Sequence, residues 1–444
     1  MTVSNTLKHT MIKGTLVLTM AGLISRFMGF FFRIFLSHAF GEENVGLYQL
    51  IFPVYTLCLS LGTAGIETAL SHITAKKISL GKKNEAQNIL YAAIIVTVIL
   101  SLIQILIIQK NAAHIAHSFL GDERCVELLI IISYALPCAS VHCCICGCSF
   151  GMQQTRIPAL SQLIEQSTRI LTVILLFFYL KSVGEIPSIH LAVVGIVAGE
   201  FASAFYSARS FSHMKMFMAR PSFSALGRDT RELLMLSAPL TANRTAVTLL
   251  QSIEAASIPA SLRLFGCSSS EALSIYGVLT GMALPCILFP SAITSSVGTM
   301  LTPAVTTAVS TGTRADIKRL TARAAGSCFI LGLFCCLCFL LTGNLLGDLI
   351  FHSSSAGKFI LTLAWICPFL YTNTALISTI NGLGKTTATF LINTSCLTVR
   401  ILSVYFIIPL LGIQGYLLGL LASQIMESIL ALAVLSYFQK KSEH

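Results

Sequence analysis

Charge is scarce in these 444 residues: Asp, Glu, Lys and Arg together make up 11% of the chain, against 55% hydrophobic residues. No stretch outside the apolar runs exceeds about 20 residues, which leaves no room for a water-soluble catalytic or nucleotide-binding domain with its own core. Zinc-protease H-E-x-x-H spacing, a nucleophile elbow and a dinucleotide-binding glycine fingerprint are all missing. The one phosphate-loop look-alike, "NGLGKTT" from Asn381 to Thr387, has Thr379 in place of the required first glycine and follows an apolar segment rather than a strand. Enzyme and ATP-driven pump readings therefore have no sequence support.

What is present is apolar length. Mean hydropathy is +0.82, and twelve apolar segments can be drawn, at 11–36, 45–75, 86–109, 125–150, 157–180, 188–213, 231–259, 271–300, 319–342, 357–381, 386–410 and 413–438. The expected fold class is an all-α polytopic membrane protein. A cleavable signal peptide ending near Ala39 is the competing reading of the first segment, but that run is too long and too interrupted by arginine, so it is expected to stay on.

The formal net charge of +11 could suggest nucleic acid. Its distribution excludes that partner: with the N-terminus inside, nineteen Lys and Arg fall on the cytoplasmic side, five on the other and five within segments. The positive-inside rule then puts both termini in the cytoplasm.

Arginine inside a segment is the sharpest signal. Segment 1 carries "GLISRFMGFFFRIF", in which Gly22, Arg26, Gly29 and Arg33 recur at spacings of 4, 3 and 4 and so share one helical stripe. An arginine held centrally in hydrocarbon costs about 2.5–3.5 kcal/mol on insertion scales, so the pair points to a wet cavity or an anion, with snorkelling or internal ion pairing as the alternative. Segment 7 continues the theme with Arg244, Thr248, Gln251 and Glu254 in one polar seam.

In segment 5, Glu165 and Arg169 stand at i and i+4, which suits an internal ion pair at least as well as a ligand contact. In segment 11, Arg400 has Cys396 four residues before it and lacks that local partner. Glu67 follows the glycine-rich "LGTAGI" and is read either as a gating group or as a partner of Lys76 or Lys77. Glu200 and Glu427 are single carboxylates in apolar surroundings, either ion-coupling sites or buried carboxyls bonded to a neighbouring helix.

Fifteen cysteines lie mostly inside the segments, so no disulfide framework is expected. The densest group, "HCCICGC" from His142 to Cys148, has no acidic residue within four positions; small residues filling a helix interface explain it better than a metal, and no metal is expected.

The halves echo each other. "STRILTVILLF" from Ser167 and "TVRILSVYFII" from Thr398 align at an offset of 231, which pairs Arg169 with Arg400, Gly151 with Gly382 and Thr155 with Thr386. Six segments is an even number, so the halves are parallel repeats. The expected division is an N-terminal six-helix bundle at 1–215, a cytoplasmic linker at 216–230 and a C-terminal six-helix bundle at 231–444.

Three stretches carry a family resemblance: Ser25 to Ile66, "GMQQTRIPALSQLIEQ" from Gly151 to Gln166, and Leu249 to Thr294. They resemble the stage V sporulation protein B group of polysaccharide transporters, in the superfamily that also holds lipid II flippases and multidrug extruders. The resemblance implies a V-shaped pair of bundles around a central cavity, in a bacterial cytoplasmic membrane. It implies a flippase moving an undecaprenyl-pyrophosphate-linked oligosaccharide outward, with cell-wall synthesis enzymes as further partners, no cofactor, and a coupling cation, Na+ or H+, left open.

By position, Arg26 matches the family's first-helix arginine after serine, and Arg33 lies within one residue of the second cavity arginine. Departures are Leu47, where the flippases carry an acidic residue, and Cys146, where the family has an arginine; two C-terminal helices of longer relatives have no counterpart. Candidate substrate contacts are Arg26, Arg33, Arg244, Gln251 and Glu254, with Glu67, Glu165, Arg169 and Arg400 as gating or ion-pair residues. A cation-coupled drug exporter and a non-transporting scaffold for cell-wall synthesis are the other functions considered.

Overall fold

Apolar runs of this length fold as helices even where β-branched residues cluster, as from Ile94 to Ile99, because a bilayer leaves no water to satisfy backbone groups and a helix satisfies its own. In a computed structural model, which describes residues 2–212, 223–311 and 314–440, the described chain is helical almost throughout and contains no strand. Among the described residues nine helices are long and apolar enough to cross a membrane. The number rises to eleven if the bent pairs Cys125–Ser133 with Ala135–Gly151 and Ser354–Ala364 with Cys367–Gly382 each count as one span.

Segments 1 and 2 share one stretch, Leu16–Ser79, of 64 residues. At 1.5 Å per residue that is roughly 96 Å, about three hydrocarbon thicknesses. It is broken at Gly41, whose φ of 77° and ψ of 171° no helix contains. Large apolar side chains such as Leu106, Phe334 and Leu341 are exposed on these helices, as lipid-facing positions should be.

Packing divides the chain into two compact units. The first comprises the chain up to Phe32 together with Leu50–Ser252; the second comprises Arg33–Gln49 and the chain from Ile253 onward. All three crossovers fall inside long helices, two in Thr2–Leu50 and one in Phe223–Phe265. Of the expected linker at 216–230, residues 216–222 lie outside the described residues, and 223–230 already belong to the helix Phe223–Phe265.

Glycines explain the exchanged pieces. In the second unit Gly46 meets Gly277: a Cβ on Gly277 would lie 2.8 Å from the Gly46 Cα, so only two glycines let these backbones touch. In the first unit a Cβ on Gly65 would come within 2.6 Å of the Ser237 carbonyl, which seats segment 2 on the N-terminal part of segment 7.

The first unit's core gathers Ile66, Leu70, Ile73, Ile89, Ala93, Cys144, Cys148 and Leu233 from segments 2, 3, 4 and 7. In the second, Leu376, Ile380, Ile392, Cys396, Ala431 and Leu435 join segments 10, 11 and 12. Cysteines of the dense run thus do fill a helix interface, Cys144 and Cys148 being 1% and 0% exposed.

Candidate functional site

Two glycine pairs, each one helical turn apart, set the polar geometry of the first unit. On segment 4 a Cβ at Gly147 would lie 2.7 Å from the Glu67 carbonyl and one at Gly151 2.5 Å from the Ser71 carbonyl, so segment 2 lies backbone to backbone against segment 4. On segment 6, Cβ atoms at Gly195 and Gly199 would sit 3.0 Å from the Arg169 carbonyl and 2.8 Å from the Glu165 carbonyl. These close approaches gather Glu67, His142, Glu165 and Glu200 round a cavity of about 300 Å³, also lined by Thr63, Cys143, Cys146 and Gln162. Just before Glu67, Ser60–Ala64 form a π-helical turn, the local unwinding that often marks a working part of a helix.

Every carboxylate here has a partner. The Tyr55 hydroxyl donates to Glu200 Oε1 at 3.0 Å, and the Cys143 thiol donates to Glu67 Oε2 at 3.3 Å. Arg169 donates to Glu165 one turn before it, as the i,i+4 spacing predicts. Glu67 does not reach Lys77, which pairs with Glu85 at 2.7 Å and with Glu232 at 3.4 Å.

His142 Nε2 stands 2.9 Å from Ser161 Oγ, and its Nδ1 stands 4.0 Å from Glu200 Oε2. One donor atom each from His142, Glu165 and Glu200 lies within 4.8 Å of the other two, close enough to hold a cation. The acidic residues that "HCCICGC" lacks in sequence are thus supplied by segments 2, 5 and 6. Sequence reasoning weighed His142 only as the start of the run "HCCICGC", for which no metal was expected, and did not single out Tyr55; the glycine pairs Gly147/Gly151 and Gly195/Gly199 are the signal that would have shown which helices meet there.

The second unit solves the arginine problem differently. Arg400 finds its carboxylate on segment 7: its Nε donates to Glu254 Oε1 at 2.8 Å and its Nη2 to Oε2, while the Tyr416 hydroxyl donates to Oε1 at 2.9 Å. Glu254 is 3% exposed. Arg33, in the same unit, donates to the Thr280 carbonyl at 3.1 Å. Glu427 accepts from Gln424 at 3.2 Å beside a network in which Asn373 donates to Gln424 and Ser428 donates to Asn373.

The remaining substrate candidates belong to the first unit and are more open. Arg26, Arg244 and Gln251 are all exposed on apolar helices, whereas Arg33 is half-buried.

Apolar spans that keep arginines and carboxylates away from their ends have the make-up of a membrane transporter, and the backbone agrees. The structure aligns with a lipid II flippase MurJ in an inward closed conformation at a TM-score of 0.75, over 95% of this chain and 87% of that one, at 14% identity. It aligns with an inward-facing multidrug resistance MATE transporter at 0.73, over 97% and 99%, at 15% identity. At these identities the likeness is one of fold, shared with both transporters.

In sequence, the chain belongs to the polysaccharide biosynthesis protein family, whose model matches residues 11–308. It is 28% identical over 436 residues to stage V sporulation protein B of Bacillus subtilis (strain 168), covering 97% of this chain and 84% of that protein. It is 27% identical to lipid II flippase MurJ of the same organism over 202 residues, 43% of this chain and 37% of that one.

Proposed function

We propose that this chain is a flippase that carries an undecaprenyl-pyrophosphate-linked oligosaccharide, lipid II or a related cell-wall or spore-cortex precursor, from the cytoplasmic to the outer leaflet of a bacterial cytoplasmic membrane. Both termini are cytoplasmic in this reading. The observation that carries it is exposed cationic and amide groups on membrane-crossing helices, Arg26, Arg244 and Gln251, in a member of the polysaccharide biosynthesis family. Exposed guanidinium groups in apolar helices do not belong against lipid tails. An anionic headgroup accounts for them.

In this mechanism Arg26, Arg33 and Arg244 neutralise the pyrophosphate, and Gln251 offers an amide to the sugar. Glu254, held by Arg400 and Tyr416, acts in gating, as does Glu67. The Glu165–Arg169 and Arg400–Glu254 pairs keep two arginines from competing for the ligand, and Glu200 and Glu427 are the ion-responsive groups. Alternating exposure of the arginines to the two faces needs no ATP. A dianionic headgroup moving outward across an inside-negative potential gains about 2.3 kcal/mol per charge per 100 mV.

The test is precursor translocation in cells that depend on this protein. Arg26→Ala and Arg33→Ala variants that insert normally are expected to accumulate lipid-linked precursor on the cytoplasmic face; translocation at wild-type rate in both would refute the arginine cradle. One observation favours a second reading, a cation-coupled multidrug exporter: three carboxylates, Glu67, Glu165 and Glu200, border one cavity. Expression that raises resistance to cationic dyes, without altering precursor distribution, would select it.

A further inference from the structure

We infer that His142, Glu165 and Glu200 form a binding site for one divalent transition-metal ion, zinc being the type case, clamped between segments 4, 5 and 6. The argument begins with protons. Ser161 Oγ donates its single hydrogen to the Pro158 carbonyl and Ser203 Oγ donates its own to the Glu200 carbonyl, so both hydroxyls can only accept from His142. A neutral imidazole has one hydrogen to give, and the shorter contact, 2.9 Å at Nε2 against 3.3 Å at Nδ1, takes it. That assigns the lone pair of His142 to Nδ1. The Nδ1 lone pair therefore faces Glu200 Oε2 across 4.0 Å, acceptor against acceptor, and a cation is what such a gap fits.

The remaining donors complete the set. Glu200 keeps Oε1 for Tyr55 and presents Oε2 toward His142; Glu165, bonded to Arg169 through Oε1, offers one carboxylate oxygen to the cluster. Ser161 on Nε2 and Tyr55 on Glu200 are outer-shell contacts of the kind that orient metal ligands. Three carboxylates border the cavity, with the Arg169 guanidinium bonded to Glu165. Buried negative charge left in excess is costly, so added positive charge is stabilising there.

Donor chemistry selects the ion. An imidazole nitrogen with two carboxylates suits Zn²⁺, Fe²⁺ or Mn²⁺, whereas Na⁺, Mg²⁺ and Ca²⁺ favour all-oxygen sites. Thiols of Cys143 and Cys146 on the same cavity add soft character. Zinc bonds of roughly 2.0–2.2 Å need ligand atoms about 3.4 Å apart; the present spread of up to 4.8 Å closes with side-chain shifts on the order of 1 Å.

This deepens the ion-responsive role proposed for Glu200, but binding is measurable without transport, so the two readings fail separately. The full chain, purified in detergent and stripped with chelator, is titrated with Zn²⁺ by calorimetry and with Co²⁺ by visible absorption. One ion per chain with Co²⁺ ligand-field bands is expected, and Zn²⁺ restores a melting temperature that chelation lowers, a readout that needs no variant. His142→Ala and Glu200→Gln each weaken binding by about 100-fold or more. A His38→Ala, His352→Ala variant, which removes an imidazole pair 2.8 Å apart elsewhere in the chain, leaves it unchanged. Absence of stoichiometric Zn²⁺ or Co²⁺ binding by the wild-type chain overturns the proposal. So does binding that survives in the His142→Ala, Glu200→Gln double variant, or stabilisation of the chain by Na⁺ or acid alone.

Discussion

Replacing Glu254 by glutamine tests the claim that the second unit depends on one buried ion pair. The change keeps the shape and removes the charge, leaving the Arg400 guanidinium beside an amide and Tyr416 with a weaker acceptor. Removing one partner of a buried pair costs about 3–5 kcal/mol. Arg400 keeps roughly a quarter of its side-chain surface exposed while Glu254 keeps 4%, and partial access to water puts the expected loss nearer 3 than 5. At about 2.1 cal/mol/K per residue, 444 residues melting together lose roughly 1 °C per kcal/mol, and a unit of half that size about 2 °C. Glu254→Gln should therefore lower the melting temperature by about 3–6 °C. A thiol-reactive dye that reports exposure of buried cysteines such as Cys396 and Cys367 reads the transition directly. Adding Arg400→Met should recover at least half of the loss, because two neutral side chains leave no orphaned charge. A single variant within 1 °C of wild type, or a double variant as unstable as the single, would refute the reasoning.

Gly199→Ala places a methyl group 2.8 Å from the Glu165 carbonyl, backbone that cannot swing aside; a loss of about 1–3 kcal/mol is expected. Gly326→Ala, with nothing within 4 Å of the new methyl inside the helix Arg314–Leu346, should instead gain about 0.5–1 kcal/mol; thermal melts of the two variants side by side check both signs. Ser268→Ala removes the capping box that Ser268 forms with Glu271 at the start of the helix Ser269–Gly277. It should cost about 1 kcal/mol, with faster amide exchange confined to the first turn as the local readout.

The apolar segments were legible because a bilayer imposes a length of about 20 residues on any crossing helix, and each drawn segment has a helical counterpart. The Glu165–Arg169 pair was legible for a related reason, since four residues along a helix is a local relation. Glu254 with Arg400 was not: they are separated by 146 residues, and only the missing carboxylate at Cys396 hinted that Arg400 must look elsewhere. The metal reading of the run that starts at His142 fell short because Glu165 and Glu200 come from two other helices, where neighbours in sequence give no hint of them. Gly147/Gly151 and Gly195/Gly199 were visible as small residues one turn apart, yet nothing in the string says which backbone each will meet.

The two pairs also differ in what they can transmit. Glu165 and Arg169 sit on one helix, so their bond survives any rigid motion of segment 5 and serves to hold Glu165 beside the His142–Glu200 gap. Glu254, Arg400 and Tyr416 come from segments 7, 11 and 12, so sliding of any one of them against the others must stretch a charged hydrogen bond. Glu254 lies two residues past the point in the helix Phe223–Phe265 where packing passes from the first unit to the second. A transporter that moves segment 7 must therefore either carry segments 11 and 12 with it or break this bond, and the energy of the bond sets the cost of the second course. Slower exchange between conformers is accordingly expected from whatever strengthens the pair, and faster exchange from Glu254→Gln, measurable as a change in the rate at which a label between segments 7 and 11 alternates its signal. An unchanged rate in that variant would mean the three helices move as one.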